Sequence, residues 1–350
     1  MTTSDDSARD GAIGSPQDTR LEALRAWLGQ LPAALALQPQ TLKPASADAS
    51  FRRYFRLDAG DRTLIAMDAP PEREDSAAYL RVAELLHEAG LNAPRILAQD
   101  LSQGFLLLTD LGRQTYLHVL DEANAAELYG AAIDALVQWQ CASRPGVLPP
   151  YDEALLAREL SLFPDWYVSR HLNHTLTERQ KAVLAATERL LIDSALAQPA
   201  VYVHRDYMPR NLMISAPTPG ILDFQDAVHG PITYDIASLM RDAFISWDEE
   251  RVIDWTVRYW ERARRAGLPV DADFGEFYRA FEWMGLQRHL KVLGIFARIN
   301  YRDGKPQYLA DTPRFVGYVR GVTQRYAQFK PLALLLDELE GVAARSGFTF

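Results

Sequence analysis

The feature that most constrains the fold is a change of hydrophobic period close to residue 110. Before it, "SFRRYFRL" (50–57) alternates Phe51, Arg53, Phe55 and Leu57 against Arg52, Tyr54 and Arg56. "DAGD" (58–61) reads as a turn and "RTLIAMD" (62–68) as a second strand, so a β-hairpin is predicted. Two further strands, "PRILAQD" and "GFLLLTD", flank a turn at 100–104. Helical spacing places Leu21, Leu24, Trp27, Leu28 and Leu31 on one face, and a second helix runs from about Glu74 to Glu88, closed by Gly90. From Gly112 onward the period is helical, over about 124–143, 152–162, 178–197, 234–246, 249–266, 275–299, 311–328 and 331–345. Thr177 and Gln180 form a capping box. Only the stretch 200–226 breaks the helices, with short apolar strands beside polar loops. The pattern predicts an α+β chain of two lobes: a disordered leader (1–18), a small antiparallel-sheet lobe (19–109) and a larger, mostly helical lobe (110–350).

Length and composition agree with two lobes: 350 residues, 48% hydrophobic and 24% charged. A net charge of -9 excludes a broadly basic nucleic-acid surface, although not a local basic pocket. The longest apolar runs, at Phe105 and Leu332, are too short to span a bilayer. The single cysteine, Cys141, can form no internal disulfide, and its helical setting predicts a buried apolar thiol. The polar N-terminal stretch has no apolar signal segment, so a cytoplasmic protein with no obligate protein partner is expected.

The chemistry concentrates in the non-helical island. The chain has no Walker A run, no GxGxxG and no HExxH, and the pair His171 and His174 lacks further ligands at metal spacing. What stands out is His204-Arg205-Asp206, then Asn211, then Asp223-Phe224-Gln225-Asp226. Phosphoryl transfer needs a carboxylate to orient and deprotonate a hydroxyl, and hard oxygen ligands for Mg²⁺ on the phosphates. Asp206 meets the first need; Asn211 and Asp223 meet the second. H-R-D-x-x-x-x-N followed by D-F-x is the catalytic-loop and metal-ligand pattern of kinases. Each residue alone would read as part of a polar turn; three together, each after an apolar run, point to the site.

On these motifs the chain resembles the aminoglycoside phosphotransferase and small-molecule kinase superfamily, which has a protein-kinase-like two-lobed fold. Through "HRDYMPRNLM", "GILDFQDAVHGPITYDIASLMRDAF", "FLLLTDLG" and "MGLQRHLKVLGIFARINYRDGKPQYL" it is most similar to the bacterial anomeric sugar kinases of cell-wall recycling. That family phosphorylates N-acetylmuramate and N-acetylglucosamine on the anomeric hydroxyl, with ATP and Mg²⁺. The resemblance implies Asp206 as catalytic base, Asn211 and Asp223 as metal ligands, and Asp235 as a buttress of the catalytic loop. It implies a hinge at Phe105 to Asp110, with backbone groups of Leu107, Leu108 and Thr109 meeting the adenine. Other readings within and beyond this fold are a kinase of another small alcohol, an aminoglycoside included, and a non-catalytic nucleotide-binding protein.

Two departures from the kinase pattern stand out. The third-strand lysine that grips the α- and β-phosphates is replaced by Met67, and the covering loop "SADASF" (46–51) has no glycine. Ser50 in that loop and Arg52, Arg53 and Arg56 beside it are the candidates to meet the nucleotide. Alternation puts Arg53 on the opposite face from Arg52 and Arg56, and the sequence leaves open which face is turned inward. Glu84 loses its usual partner and defaults to a surface charge. For the acceptor, Asp226, Trp283, Gln287, Arg288, His289 and Arg298 are the candidates, a ring beside polar readers of sugar hydroxyls. Residues 285–302 hold four Lys/Arg and no acid, which favours a neutral or anionic amino sugar over a polycation. The competing reading is the exposed basic face of an amphipathic helix.

Overall fold

The computed structural model describes residues 18–46 and 51–341; the rest of the expected leader, and Ser50, lie outside them. The chain divides into two compact units, one running to Ala77 and including Arg95–Asp110, the other comprising Ala78–Pro94 and everything from Leu111.

The first unit is a helix on an antiparallel sheet. Helix α1 (Thr19–Gln30) is capped by Asp18, whose carboxylate accepts the Leu21 N–H at 3.0 Å, so this residue belongs to the helix and not to the leader. The strands are β1 (Leu37–Ser46), β2 (Arg53–Ala59) and β3 (Arg62–Asp68), and, after α2 (Ser76–Glu88) at the unit boundary, β4 (Ile96–Asp100) and β5 (Phe105–Thr109). They are ordered β1-β2-β3-β5-β4. Strand β1 is absent from the sequence reading because Pro39 and Pro44 interrupt its pattern. An edge strand tolerates proline, and the β1–β2 register shifts between Gln38 and Lys43 and again after Pro44. Central β5 is a continuous apolar run because it is paired on both sides and covered on both faces. Phe55, Leu57, Leu64, Ala66, Phe105 and Leu107 form the face that packs on Leu24, Trp27 and Leu28 of α1. Tyr54, Arg56, Ile65 and Met67 therefore lie on the other face.

The second unit is mainly helical. After α2 come α3 (Tyr116–Val119), α4 (Ala125–Cys141), α5 (Glu153–Leu160), a π-helical segment (Phe163–His171) and α6 (Glu178–Leu196), then α7 (Tyr234–Met240), α8 (Glu249–Arg265), α9 (Phe274–Asp303), α10 (Thr312–Arg325) and α11 (Lys330–Leu339). The expected capping box at Thr177 and Gln180 starts α6. Between α6 and α7 sit two short antiparallel pairs, β6 (Ala200–Val203) with β9 (Val228–Pro231) and, between those strands in the chain, β7 (Leu212–Met213) with β8 (Gly220–Ile221). Helix α9 is the spine, packed by the π-helical segment, α6, α7, α8 and α10. Cys141 closes α4 and is exposed, not buried as its spacing suggested: Trp139 and Gln140 hold the inward face of that last turn.

Gly294 lets the backbone at Leu162 press directly on α9; a methyl group there would overlap that peptide. Gly317 in α10 has open space around its Cα. Gly294→Ala is therefore expected to lose about 1–3 kcal/mol, while Gly317→Ala gains about 0.5–1 kcal/mol of helix propensity. Urea unfolding of the two variants checks this; equal effects would refute the close approach.

Candidate active site

The two small strand pairs present the polar loops as the sequence placed them. Asp206 follows β6 and Asp223 follows β8; both are half-buried. The Asn211 amide nitrogen donates to the Asp206 carbonyl at 2.9 Å and lies 3.3 Å from Asp223 Oδ2. Leu222 N–H donates to the Asn211 carbonyl at 2.9 Å, tying the loops together. Gln225 Nε2 donates to Asp223 Oδ1 at 3.0 Å, and the buried Phe224 ring packs 4.7 Å from Tyr79. Asp206, Asn211 and Asp223 thus form one constellation.

His204 is buried behind it. Its Nδ1 accepts the Asp206 N–H at 3.2 Å, so the proton sits on Nε2, which donates to the Leu222 carbonyl at 3.1 Å. Burial lowers its pKa to about 4, so the ring is neutral and acts as a spacer between the loops. Asp235, at the start of α7, accepts His204 N–H at 2.6 Å and Arg205 N–H at 2.9 Å, the buttress expected of it. Burial pushes its carboxyl up to about 7, against the pull of those two donors.

Arg205 (φ 76°) and Asp223 (φ 62°) are two of the four described non-glycine residues with positive φ. Such backbone persists only where its surroundings over-determine it. For Arg205 the surroundings include Glu159, a residue the sequence reading passed over. Glu159 accepts Arg205 Nη2 at 2.5 Å, Lys291 Nζ at 2.7 Å, Gln287 Nε2 at 3.2 Å and the Tyr151 hydroxyl. Lys291 also donates to the Tyr234 hydroxyl at 3.0 Å. Burial works to raise the Glu159 pKa, but Lys291 and Arg205 outweigh it and hold the carboxyl at about 2. One signal was present: Glu159 shares the α5 face of the buried Leu156 and Leu160.

The acceptor candidates scatter. Gln287, Arg288, His289 and Lys291 are buried, which corrects the reading of an exposed basic face. The acids missing from 285–302 come from other elements: Glu159 takes Lys291 and Gln287, and the field of Arg288 acts on Asp235 and Asp242. Arg288 Nη1 reaches the Arg241 carbonyl at 3.4 Å. His289 stacks on Tyr318 at 4.8 Å and lines a cavity of about 100 Å³ with Arg241, Glu249, Glu282 and Arg325. Its ring is fully buried, and burial drives its pKa far down. Trp283 is taken up by Phe329 at 4.7 Å and Tyr326 at 5.9 Å, with Arg279 over the ring. Arg298 is half-buried two turns beyond Lys291, and Asp226 is exposed, its carbonyl 3.3 Å from Arg205 Nη1.

The nucleotide candidates lie in the sheet or in ion pairs. Leu107 and Leu108 are laddered to β3 and β4 on both sides, and Thr109 N–H is bonded to the Arg95 carbonyl at 2.9 Å. The sheet therefore takes the Leu107 and Leu108 backbone groups and the Thr109 N–H, while the Arg95 N–H goes to Thr109 Oγ1 at 2.9 Å. Arg53 points to the α1 face and pairs with Asp68 and Asp18; Arg56 is bonded to Asp110, its Nε 2.5 Å and its Nη2 2.9 Å from the carboxylate. Arg52 pairs with Glu74 at 2.8 Å.

A family model described as "Phosphotransferase enzyme family" matches residues 41–270. The chain belongs to this phosphotransferase family. It is 54% identical over 332 residues to the N-acetylmuramate/N-acetylglucosamine kinase of Pseudomonas aeruginosa, covering 92% of this chain and 97% of that one. It is 51% identical to the enzyme of that name from Pseudomonas putida, covering 93% and 98% of the two. Among solved structures, the ethanolamine kinase of Plasmodium vivax superposes with a TM-score of 0.61 at 9% identity, over 86% of this chain and 87% of that one. The fold is protein-kinase-like, and the protein is a phosphotransferase.

Glu159→Gln keeps shape and removes the charge that answers Arg205 and Lys291, at an expected cost of about 3–5 kcal/mol at neutral pH. With an ordinary value of 4.5 and a folded value of about 2, the Glu159 contribution is fully present above pH 4.5 and fades as pH falls toward 2. In urea titrations, the gap between wild type and Glu159→Gln should narrow below pH 4.5. A gap that stays constant there would refute the ionised hub.

Proposed function

We propose that this phosphotransferase is an ATP-dependent sugar kinase that phosphorylates the anomeric hydroxyl of N-acetylmuramate or N-acetylglucosamine, giving the sugar 1-phosphate. The observation that carries this reading is identity above 50% over more than 90% of the chain to two enzymes named for those substrates. Those names weigh against an aminoglycoside acceptor and against a non-catalytic nucleotide binder. The family implies ATP as phosphoryl donor. Among the described residues no helix is long and apolar enough to cross a membrane, and we place the reaction in the cytoplasm, where ATP is supplied.

Asp206 is the base in this reading. Its backbone is held by His204 and, through Asn211, by the Asp223 loop, so its half-exposed carboxylate is aimed before substrate arrives. It takes the proton of the sugar hydroxyl as that oxygen bonds to the γ-phosphorus and the bond to the ADP oxygen breaks. Asn211 and Asp223 fit a magnesium ion. The Asn211 amide nitrogen donates to the Asp206 carbonyl and lies 3.3 Å from Asp223 Oδ2, so the amide and the carboxylate are adjacent. No group of three or more His, Cys, Asp or Glu suited to a metal occurs among the described residues. Two side-chain ligands suit an ion that keeps waters and shares phosphate oxygens. When bound, magnesium supplies charge that offsets the phosphates in the transition state. Gln225 and the packed Phe224 hold Asp223 in place for it.

Phosphorylation at the anomeric oxygen prevents ring opening to the aldehyde. With N-acetylmuramate and ATP, ADP is expected to appear while reducing-sugar signal falls in step. ADP formation with reducing ends intact would exclude the anomeric position. Asp206→Asn is expected to lower turnover by about 10²–10⁴-fold with an unchanged melting temperature; near-normal turnover would remove Asp206 as the base.

A further inference from the structure

The loop that carries Asp206 is held at Arg205 by carboxylates from two different helices. Asp235, at the start of α7, accepts the Arg205 N–H at 2.9 Å, and Glu159, near the end of α5, accepts Arg205 Nη2 at 2.5 Å. We propose that Lys291 is a positioning residue for Asp206: by bonding Glu159 and Tyr234 at once, it joins these two supports into one closed frame around Arg205. This rests on the reading of Asp206 as the base and deepens it.

The frame closes bond by bond. Lys291 Nζ donates to Glu159 Oε1 at 2.7 Å, the same oxygen that takes Arg205, and to the Tyr234 hydroxyl at 3.0 Å. Tyr234 precedes Asp235 in the chain, so the circuit returns to the Arg205 N–H. The other oxygen of Glu159 takes Gln287 Nε2 at 3.2 Å and the Tyr151 hydroxyl. Gln287 and Lys291 are one helical turn apart on α9 and reach the carboxylate from one face. Gly294 lies three residues beyond Lys291, and Leu162, whose backbone presses on it, lies three beyond Glu159. That close approach sets the distance at which Glu159 meets the two α9 side chains.

Neutralising Glu159 does not by itself call for Lys291. The carboxylate already has the Arg205 guanidinium, and a second buried cation adds desolvation cost. Burial works to deprotonate Lys291, but Tyr234, Glu159 and Asp206 outweigh it and keep the ammonium charged. What Lys291 contributes is placement. An ammonium carries three donors and can hold a carboxylate and a phenol together. Tyr234 is buried against Tyr151, the rings 5.3 Å apart, so the phenol is itself fixed. Arg205 stands at φ 76°, a conformation that its surroundings must impose, and Asp206 is the next residue. Without Lys291, Asp235 and Glu159 become separate anchors, and the peptide between Arg205 and Asp206 is free to turn away from its working orientation.

The test compares Lys291→Met and Tyr234→Phe, alone and combined with Asp206→Asn, each checked by circular dichroism and assayed well below its melting temperature. With N-acetylmuramate and ATP, Lys291→Met should lower kcat roughly tenfold or more, while KM for both substrates stays within about twofold. Tyr234→Phe should lower kcat several-fold. In the Asp206→Asn background Lys291→Met should cost less than about a further twofold, because groups that act through one another do not add. An equal cost in both backgrounds, or an unchanged kcat in Lys291→Met, would overturn the proposal. Hydrogen–deuterium exchange reads the loop without any assay of activity: the 204–211 peptide should exchange faster in both variants, while α11 is unchanged. Unchanged exchange over 204–211 would also overturn it. If Lys291→Met does not fold, Tyr234→Phe, which removes a single hydroxyl, carries the same readouts, and no change in either refutes the closed frame. Near-normal turnover in Asp206→Asn, or a wild-type protein that phosphorylates no amino sugar, would sink the reading of the site; faster exchange in Lys291→Met would then leave the frame standing.

Discussion

The loop that carries Asp206 depends on one buried carboxylate. Glu159 gathers a guanidinium, an ammonium, an amide and a phenol from the Asp206 loop, α9 and the turn before α5. Each donor belongs to an element with its own packing constraints, so the carboxylate fixes their relative positions as well as their charge. Burying so much charge costs free energy, and it is tolerated because nearly every group finds a partner. The return is geometric. Arg205 is held in the left-handed region from its side chain by Glu159 and from its N–H by Asp235, and Asp206 follows it by one peptide.

The same logic of local pairing governs the first unit. A net charge of -9 says little about the field near any one atom. Here acids and arginines are matched locally: Asp68 with Arg20 and Arg53 toward α1, Asp110 with Arg56 on the other face of the sheet, and Glu74 with Arg52 just before β2. The setting of each arginine is thus defined by its position along the chain and by the carboxylate that pairs with it.

Much of this was legible in one dimension. The β2–β3 hairpin, the β4–β5 pair, α6 with its capping box and the long α9 follow from local period and capping, which depend on near neighbours. The constellation of Asp206, Asn211 and Asp223 was legible because hairpin connections bring the three together over a short stretch. Strand β1 was hidden by its prolines, and α7 stops at Met240, short of the expected 246, because Asp242 turns back to accept the Phe244 and Ile245 N–H groups. The competing reading of α9 as an exposed basic face fails, since the acids that answer it lie more than a hundred residues earlier or on α7 and just beyond it.

The sequence by itself determined which residue types stand close together along the chain: the strand and helix periods, the two aspartates and the asparagine of the polar loops, and the loss of a lysine at Met67. These are short-range facts, fixed by backbone geometry and spacing. Tertiary structure alone decided which distant groups meet. It put Glu159 under Arg205 and Lys291, joined Glu74 to Arg52, sent Trp283 to Phe329 and closed the backbone of β5 on both sides. The reason is physical: a buried charge or an unpaired peptide group is settled only by whichever partner packing delivers, and sequence distance carries no information about that partner.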